Sequence, residues 1–540
     1  MMRFARDAWA AGPIVLFVLA FAIVPVIVLF AVELAAAGGL GAISTVVAQP
    51  LNAASIDNSL VQGAWSGLLA VALGYPAGVF FGRYAWRGRS IVRSFLLLPF
   101  LLPSLVVVLG ILDLFGPGGF VSSVVPTTGS LGSGLPAIVA ANLVFNVPIV
   151  ILFTAIGCES SSGELEETVA TLGGTPTRSY RDVWGPVTWV GAAVGGLLTF
   201  LFSALSFAPP LLLCGPQCYT IEARIWSLDQ VFLDPASAGV LALVALLLFL
   251  VPAVAYLVFL ARLRARPGRR TPALRRLSPR DPVGVGLAIE TGLVLTAISG
   301  VLASVVYRSL EPTGGQGAGA TYAQLFSPGT TERLGISATG MIANTLFFAT
   351  VAALIAILLG ILAGYAIVRR PERSIGLGMI LFVPLLLSPV VLAFALATFW
   401  RPLLGGESTI WFLVIVSQAI LAIPFALQSL EIPLAGLGPN GREAAEALGS
   451  SPWNAFLDAD LPRVRSGLVT AGLFVFALGL GEFTATYFLV TPQYTTVPVG
   501  LYRLQDVRQF GLADALAGVL LLLSLAVFLA IILGGRRVEL

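Results

Sequence analysis

The chain has 540 residues, of which 57% are hydrophobic and 11% charged, with a formal net charge of +3. Soluble domains carry about a quarter charged residues, so this composition excludes an ordinary soluble enzyme or binding protein. All 30 basic residues are arginine and histidine is absent, which excludes a phosphate-cradling P-loop lysine, histidine metal sites and histidine acid–base catalysis.

Apolar runs of about 20 residues, the length that crosses a hydrocarbon core about 30 Å thick, recur along the chain. Bounded by charged or Gly/Pro-rich breaks, they predict an all-α membrane protein of about twelve transmembrane helices. In order the spans are 12–33, 60–82, 94–115, 136–156, 189–212 and 237–260, then 283–306, 342–367, 375–400, 410–430, 467–490 and 512–534. Arg3 and Arg6 before a first run of this length mark a retained anchor rather than a cleaved signal. Cys158 falls in the connection after the fourth span. Cys214 and Cys218 flank Gly215-Pro216-Gln217 after the fifth, where they either pair in an oxidising exterior or stay free thiols.

Arginine placement sets the orientation. The even-numbered connections, the linker 261–282 and the two termini hold 24 of the 30 arginines. The positive-inside rule makes that side cytoplasmic, with both termini inside a multi-pass protein of the plasma membrane.

The chain repeats itself. Asn58-Ser59-Leu60 recurs as Asn344-Thr345-Leu346, and at the same offset of 286 residues Gly74, Gly78 and Arg83 match Gly360, Gly364 and Arg369. Further on the offset is 276: Pro148, Gly173, Pro186, Phe207 and Thr220 match Pro424, Gly449, Pro462, Phe483 and Thr496. Residues 1–260 and 283–540 are therefore expected to be two parallel six-helix copies, with the pathway between them.

The connection between the fourth and fifth spans of each copy, 158–187 and 434–465, reads as helix–turn–helix. In the second copy Gly449 is a helix stop and Ser451-Pro452 a restart; in the first, Gly173 and Thr175-Pro176 do the same. Glu443, Ala444, Ala445, Gly449, Ala459, Leu461 and Pro462 together resemble the signature loop of binding-protein-dependent ABC importer permeases, with Leu448 beside the glycine in the same coupling loop. The first copy keeps Glu167, Gly173, Val183 and Pro186, with Leu172 before its glycine, but Thr168 and Val169 replace the two alanines and Gly185 replaces leucine. Leu102-Pro103-Ser104-Leu105, Phe145-Asn146-Val147-Pro148 and Gly479-Leu480-Gly481-Glu482-Phe483 are similar to the fused, two-half permeases of thiamine and, as the alternative, ferric iron.

That resemblance implies a type I importer fold, two separate ATPase subunits on the two cytoplasmic loops, and a soluble binding protein at the outer face. ATP and magnesium would sit on the ATPase; this chain would bind no cofactor, catalyse nothing, and contact membrane lipid but no nucleic acid. Within the spans, Asn142, Asn146, Ser203, Ser206, Phe207, Gln418, Glu482, Phe483 and Tyr487 are candidates to line the translocation path. Glu482 faces two readings: an acid drawn toward a cationic substrate, or one hydrogen-bonded to nearby backbone. A secondary transporter is the rival class. It would carry coupling acids in both halves, whereas the loop Gly82–Arg89 is basic and contains no acid partner.

Overall fold

The chain's own start and stop signals turn its apolar runs into helices. The computed structural model describes residues 8–161, 163–264, 274–311, 318–369, 387–405, 409–435, 437, 444–445 and 447–536. Helices α1 (Gly12–Ala36), α2 (Pro50–Arg83), α3 (Ser104–Phe115) and α4 (Gly134–Glu159) come first. The short α5 (Gly163–Thr171) and α6 (Pro176–Ser179) precede α7 (Gly185–Ala204), α8 (Ala208–Leu213) and α9 (Ile221–Trp226). Next are α10 (Pro235–Arg264), α11 (Pro282–Leu310), α12 (Ala338–Arg369), α13 (Pro389–Leu403) and α14 (Ile410–Ala435). The chain continues through α15 (Pro452–Ala455), α16 (Leu461–Gly481), α17 (Thr484–Leu489), α18 (Val497–Asp506) and α19 (Phe510–Arg536).

Among the described residues, 11 helices are long and apolar enough to cross a membrane, and the chain is a multi-pass, all-α membrane protein. The expected span at 375–400 meets the shorter α13; residues 370–386 before it lie outside the described set. Several expected boundaries shift. The third run breaks at Leu102-Pro103, because proline cannot donate to the preceding turn, and α3 starts at Ser104. The run 189–212 breaks between Ala204 and Ala208, and 467–490 breaks at Glu482-Phe483. Cys158, expected in a connection, is buried near the end of α4, its Sγ 3.3 Å from the Thr188 hydroxyl. Cys214 and Cys218 are joined in a disulfide.

The helices gather into two units, Ala37–Glu311 and Met1–Ala36 with Pro312–Leu540. These units and the sequence repeat divide the chain differently by one span each. In the first unit α11 packs on α3 and α2; in the second α1 packs on α13 and α12. Phe21 of α1 stacks 5.1 Å from Trp400, whose indole donates to the Ala20 carbonyl at 3.2 Å.

Within each unit the same clasp recurs at the repeat offsets. Asn58 of α2 donates to the carbonyls of Gln217 and Tyr219, at 3.1 and 3.3 Å, and the Ser59 hydroxyl accepts the N–H of Ile221 at 2.9 Å. Asn344 of α12 donates to Gln493 and Thr495, both at 3.1 Å, and Thr345 accepts from Val497 at 2.8 Å. Each asparagine satisfies two carbonyls that a turn would otherwise leave unpaired. The one-turn π-helical stretches Tyr180–Trp184 and Phe456–Asp460 also occupy matching positions.

In the first unit, strand β1 (Tyr84–Ala85) runs parallel to β2 (Arg275–Arg276), pairing the end of α2 with the linker. The Tyr84 hydroxyl donates to Asp281 at 2.8 Å, and Asp281 caps α11 by accepting the Gly284 N–H at 3.1 Å. The Gly284 N–H and then the Tyr84 hydroxyl hold the Asp281 carboxyl below its usual range. Since folding lowers this pKa, the stabilisation is complete above the unfolded value near ~3.9 and is lost as pH falls through the folded value. Tyr84→Phe is expected to melt below wild type at pH 7 in detergent and to match it in acid below that window.

Candidate functional site

Gly173 and Gly449 end the first arms of the two loops in left-handed backbone, φ +73° and +91°, a conformation that glycine adopts without a Cβ clash. Behind Gly173, the N–H of Gly174 reaches back to the Val169 carbonyl at 2.8 Å; behind Gly449, Ser450 reaches Ala445 at 3.0 Å. The second arms restart on side-chain caps. Thr175 accepts the Arg178 N–H at 3.3 Å and Ser451 accepts the Asn454 N–H at 3.2 Å, each followed by proline in the first turn.

At each tip a leucine precedes the glycine and points outward: Leu172 is 81% exposed and Leu448 88%. Glu167, Pro186, Ala444 and Pro462 are exposed, and Ala445 is partly so. Leu461 packs against the cluster of Leu430, Leu434, Val464 and Ala471. Glu443 lies outside the described residues. A run of exposed small and apolar residues on a capped helical hairpin is a surface suited to close contact with another protein.

The first loop is tied down by residues that no motif marks. Glu166, next to the signature acid, points inward and forms a bidentate pair with Arg83 at the end of α2; both side chains are buried. The guanidinium also lies 4.5 Å from the centroid of the Trp184 ring. Losing one partner of such a pair leaves an uncompensated buried charge and costs about 3–5 kcal/mol. Glu159 at the end of α4 takes Arg89 at 2.6 Å and Arg93 at 2.5 Å. The basic loop after α2 therefore finds its acid partners in α4 and α5, which corrects the expectation of an unpaired loop. Tyr75 and Tyr180 join through their hydroxyls at 2.9 Å, and Trp189 donates to the Tyr180 hydroxyl at 2.8 Å.

The polar residues expected along a path divide between the units. In the first, Gln62 of α2, which carries no motif, is the hub. It donates to the Ser203 carbonyl at 2.5 Å and the Ser206 hydroxyl at 3.1 Å, and accepts from Asn142 at 3.2 Å. Asn146 donates to the Asn142 carbonyl at 2.8 Å and reaches Ser203 Oγ at 3.4 Å. Phe207 is buried beside Trp226. These bonds knit α2, α4 and α7 together.

The repeat positions in the second unit are mostly apolar: Phe348 stands for Gln62, Ala422 for Asn146 and Gly479 for Ser203. Glu482 stands for Ser206. Its carboxylate accepts the N–H groups of Ala485 at 2.7 Å and Thr486 at 2.9 Å, as well as the Thr486 hydroxyl, and so holds the break between α16 and α17. Gln418 donates to the same hydroxyl at 3.1 Å. Phe483, Tyr487 and Tyr502 form an adjoining aromatic group, with centroids 4.8 to 5.6 Å apart. Glu290 lies in the third turn of α11 with both carboxylate oxygens shielded.

No family model matches the chain. It is 27% identical over 505 residues to the thiamine transport system permease protein of Escherichia coli, covering 88% of each chain. Against the permease of the same description from Brucella abortus it is 26% identical over 490 residues, 87% of this chain and 85% of the relative. A putative ferric transport system permease protein of Haemophilus influenzae is 25% identical over 461 residues, 81% of this chain and 70% of the relative. Over more than four-fifths of its length, through both copies of its repeat, the chain is thus similar to the permeases that its loop signature resembles.

Proposed function

We propose that the chain is the membrane permease of an ATP-driven importer, with thiamine or a related small organic cation as its substrate. The observation that carries this reading is the pair of capped loops at one repeat offset, each presenting an exposed leucine before a left-handed glycine. Both loops lie on the arginine-rich side, which the positive-inside rule makes cytoplasmic. Each docks one ATPase subunit; a binding protein delivers substrate to the opposite face. ATP binding closes the ATPases and turns the path outward, and hydrolysis resets it. The similarity to thiamine permeases over 88% of both chains supports the substrate class, and ferric iron is the second reading because ferric permeases also match.

The experiment is co-purification and binding. The neighbouring ATPase is expected to be retained on the tagged chain in detergent, and the associated binding protein to take labelled thiamine rather than ferric ion. Retention with ferric binding would transfer the reading to iron; no retention on either loop would remove it.

A further inference from the structure

We infer that the Arg83–Glu166 pair is a positioning element that makes the first loop move with α2. The inference rests on the proposed docking of an ATPase at this loop and says how a push on it reaches a span. Helix α5 touches the rest of its unit through one buried side chain, Glu166; its other described side chains are exposed or only partly covered. That single carboxylate takes both ends of the Arg83 guanidinium. Arg83 is the last residue of α2, and its other face is covered by Trp184 in the turn leading into α7. The first arm of the loop is thus gripped at one point that two spans share, α2 through the backbone of Arg83 and α7 through Trp184, while the second arm meets α2 separately through Tyr180 and Tyr75.

Neighbouring Glu167 is exposed and free to meet a partner, so docking and transmission fall on adjacent residues with opposite orientations. The sequence does not carry the same two residues into the second copy. At the matching offsets the second copy carries Arg369 for Arg83 and Arg442 for Glu166, two like charges. The first loop departs from the family signature at its alanines, yet it holds the ion pair. The Arg83 and Glu166 positions thus differ in charge between the copies, and the two loops are expected to transmit unequally.

The test uses the complete complex in liposomes: this chain, its ATPase and the binding protein, with labelled thiamine outside. Glu166→Gln is expected to keep the ATPase bound and hydrolysing while substrate moved per ATP falls about tenfold, within the range by which residues along a coupling route alter it. Arg83→Lys, which keeps the charge but not the two-pronged bond, is expected to fall between Glu166→Gln and wild type, and covers the case in which Glu166→Gln fails to fold. Unchanged substrate per ATP in both variants would overturn the inference. So would loss of ATPase retention in step with uptake, because the pair would then build the docking surface instead of transmitting from it. A wild-type chain that retains no ATPase fails the docking reading itself, before any variant is compared, and takes the inference with it.

Discussion

Gly449→Val is expected to abolish most ATP-dependent uptake while leaving the chain folded, and Gly449→Asn to retain most of it. The difference comes from backbone alone. Gly449 has φ +91°, and a Cβ built there meets nothing within 4 Å, so the Cβ of either substitution has room. A β-branched residue held in left-handed backbone costs about 1–3 kcal/mol, whereas asparagine visits that region readily. That cost is small beside a stability of about 5–15 kcal/mol, so the fold persists. The loop relieves the strain by leaving the left-handed turn, which re-aims Leu448, 88% exposed, and the arm beginning at Ser451. We expect ATPase retention and uptake to drop about tenfold or more in Gly449→Val, the factor that ~1.4 kcal/mol of lost docking energy would give. Equal retention in the valine and asparagine variants would show that the turn does not set the docking surface. Gly173→Val, measured beside it, reports how much of the load the first loop carries.

A second large effect separates two glycines that the repeat makes equivalent. Gly78→Ala is expected to destabilise the protein by about 2–3 kcal/mol, and Gly364→Ala by less than about 1 kcal/mol, in thermal unfolding in detergent. A Cβ at Gly78 would lie 2.4 Å from Thr154 Cβ and 2.8 Å from the Ile151 carbonyl oxygen. Neither atom can move without shifting the backbone of α4, so α2 and α4 must part. A Cβ at Gly364 meets Leu434 Cδ1 at 2.4 Å, the end of a side chain that can change rotamer. Equal losses at the two sites would mean that the close approach of α2 to α4 is not what Gly78 provides.

The features legible in the sequence were those written in local residue chemistry. Gly173 with Thr175-Pro176, and Gly449 with Ser451-Pro452, gave the stops and restarts of both loops because caps and left-handed turns need particular residues at fixed spacing. Asn58 and Asn344 marked the repeat, and each closes the same clasp in its own unit. The helix breaks after Ala204 and Gly481 were not legible. A lone Ser206 or Glu482 leaves each surrounding run apolar on average, and hydropathy reports burial in a membrane without reporting whether the backbone stays helical. The Arg83–Glu166 pair was hidden for another reason. Its partners are 83 positions apart, and Glu166 is set apart from Glu167 only by the direction it faces on α5. The Gln62 hub likewise depends on three helices meeting, which no single span encodes. Nor could periodicity tell that α1 packs on α12 and α13, across most of the chain's length.

The central claim is that this chain imports solute with energy supplied by a separate ATPase docked on its two loops. Uptake of labelled thiamine into liposomes tests it most directly, with the chain in the membrane, ATPase and ATP inside, and binding protein outside. Accumulation is predicted only when all four are present, and is predicted to stop when the ATPase carries a disabled nucleotide site. Accumulation by the chain alone, driven by a proton or sodium gradient without ATP, would contradict it.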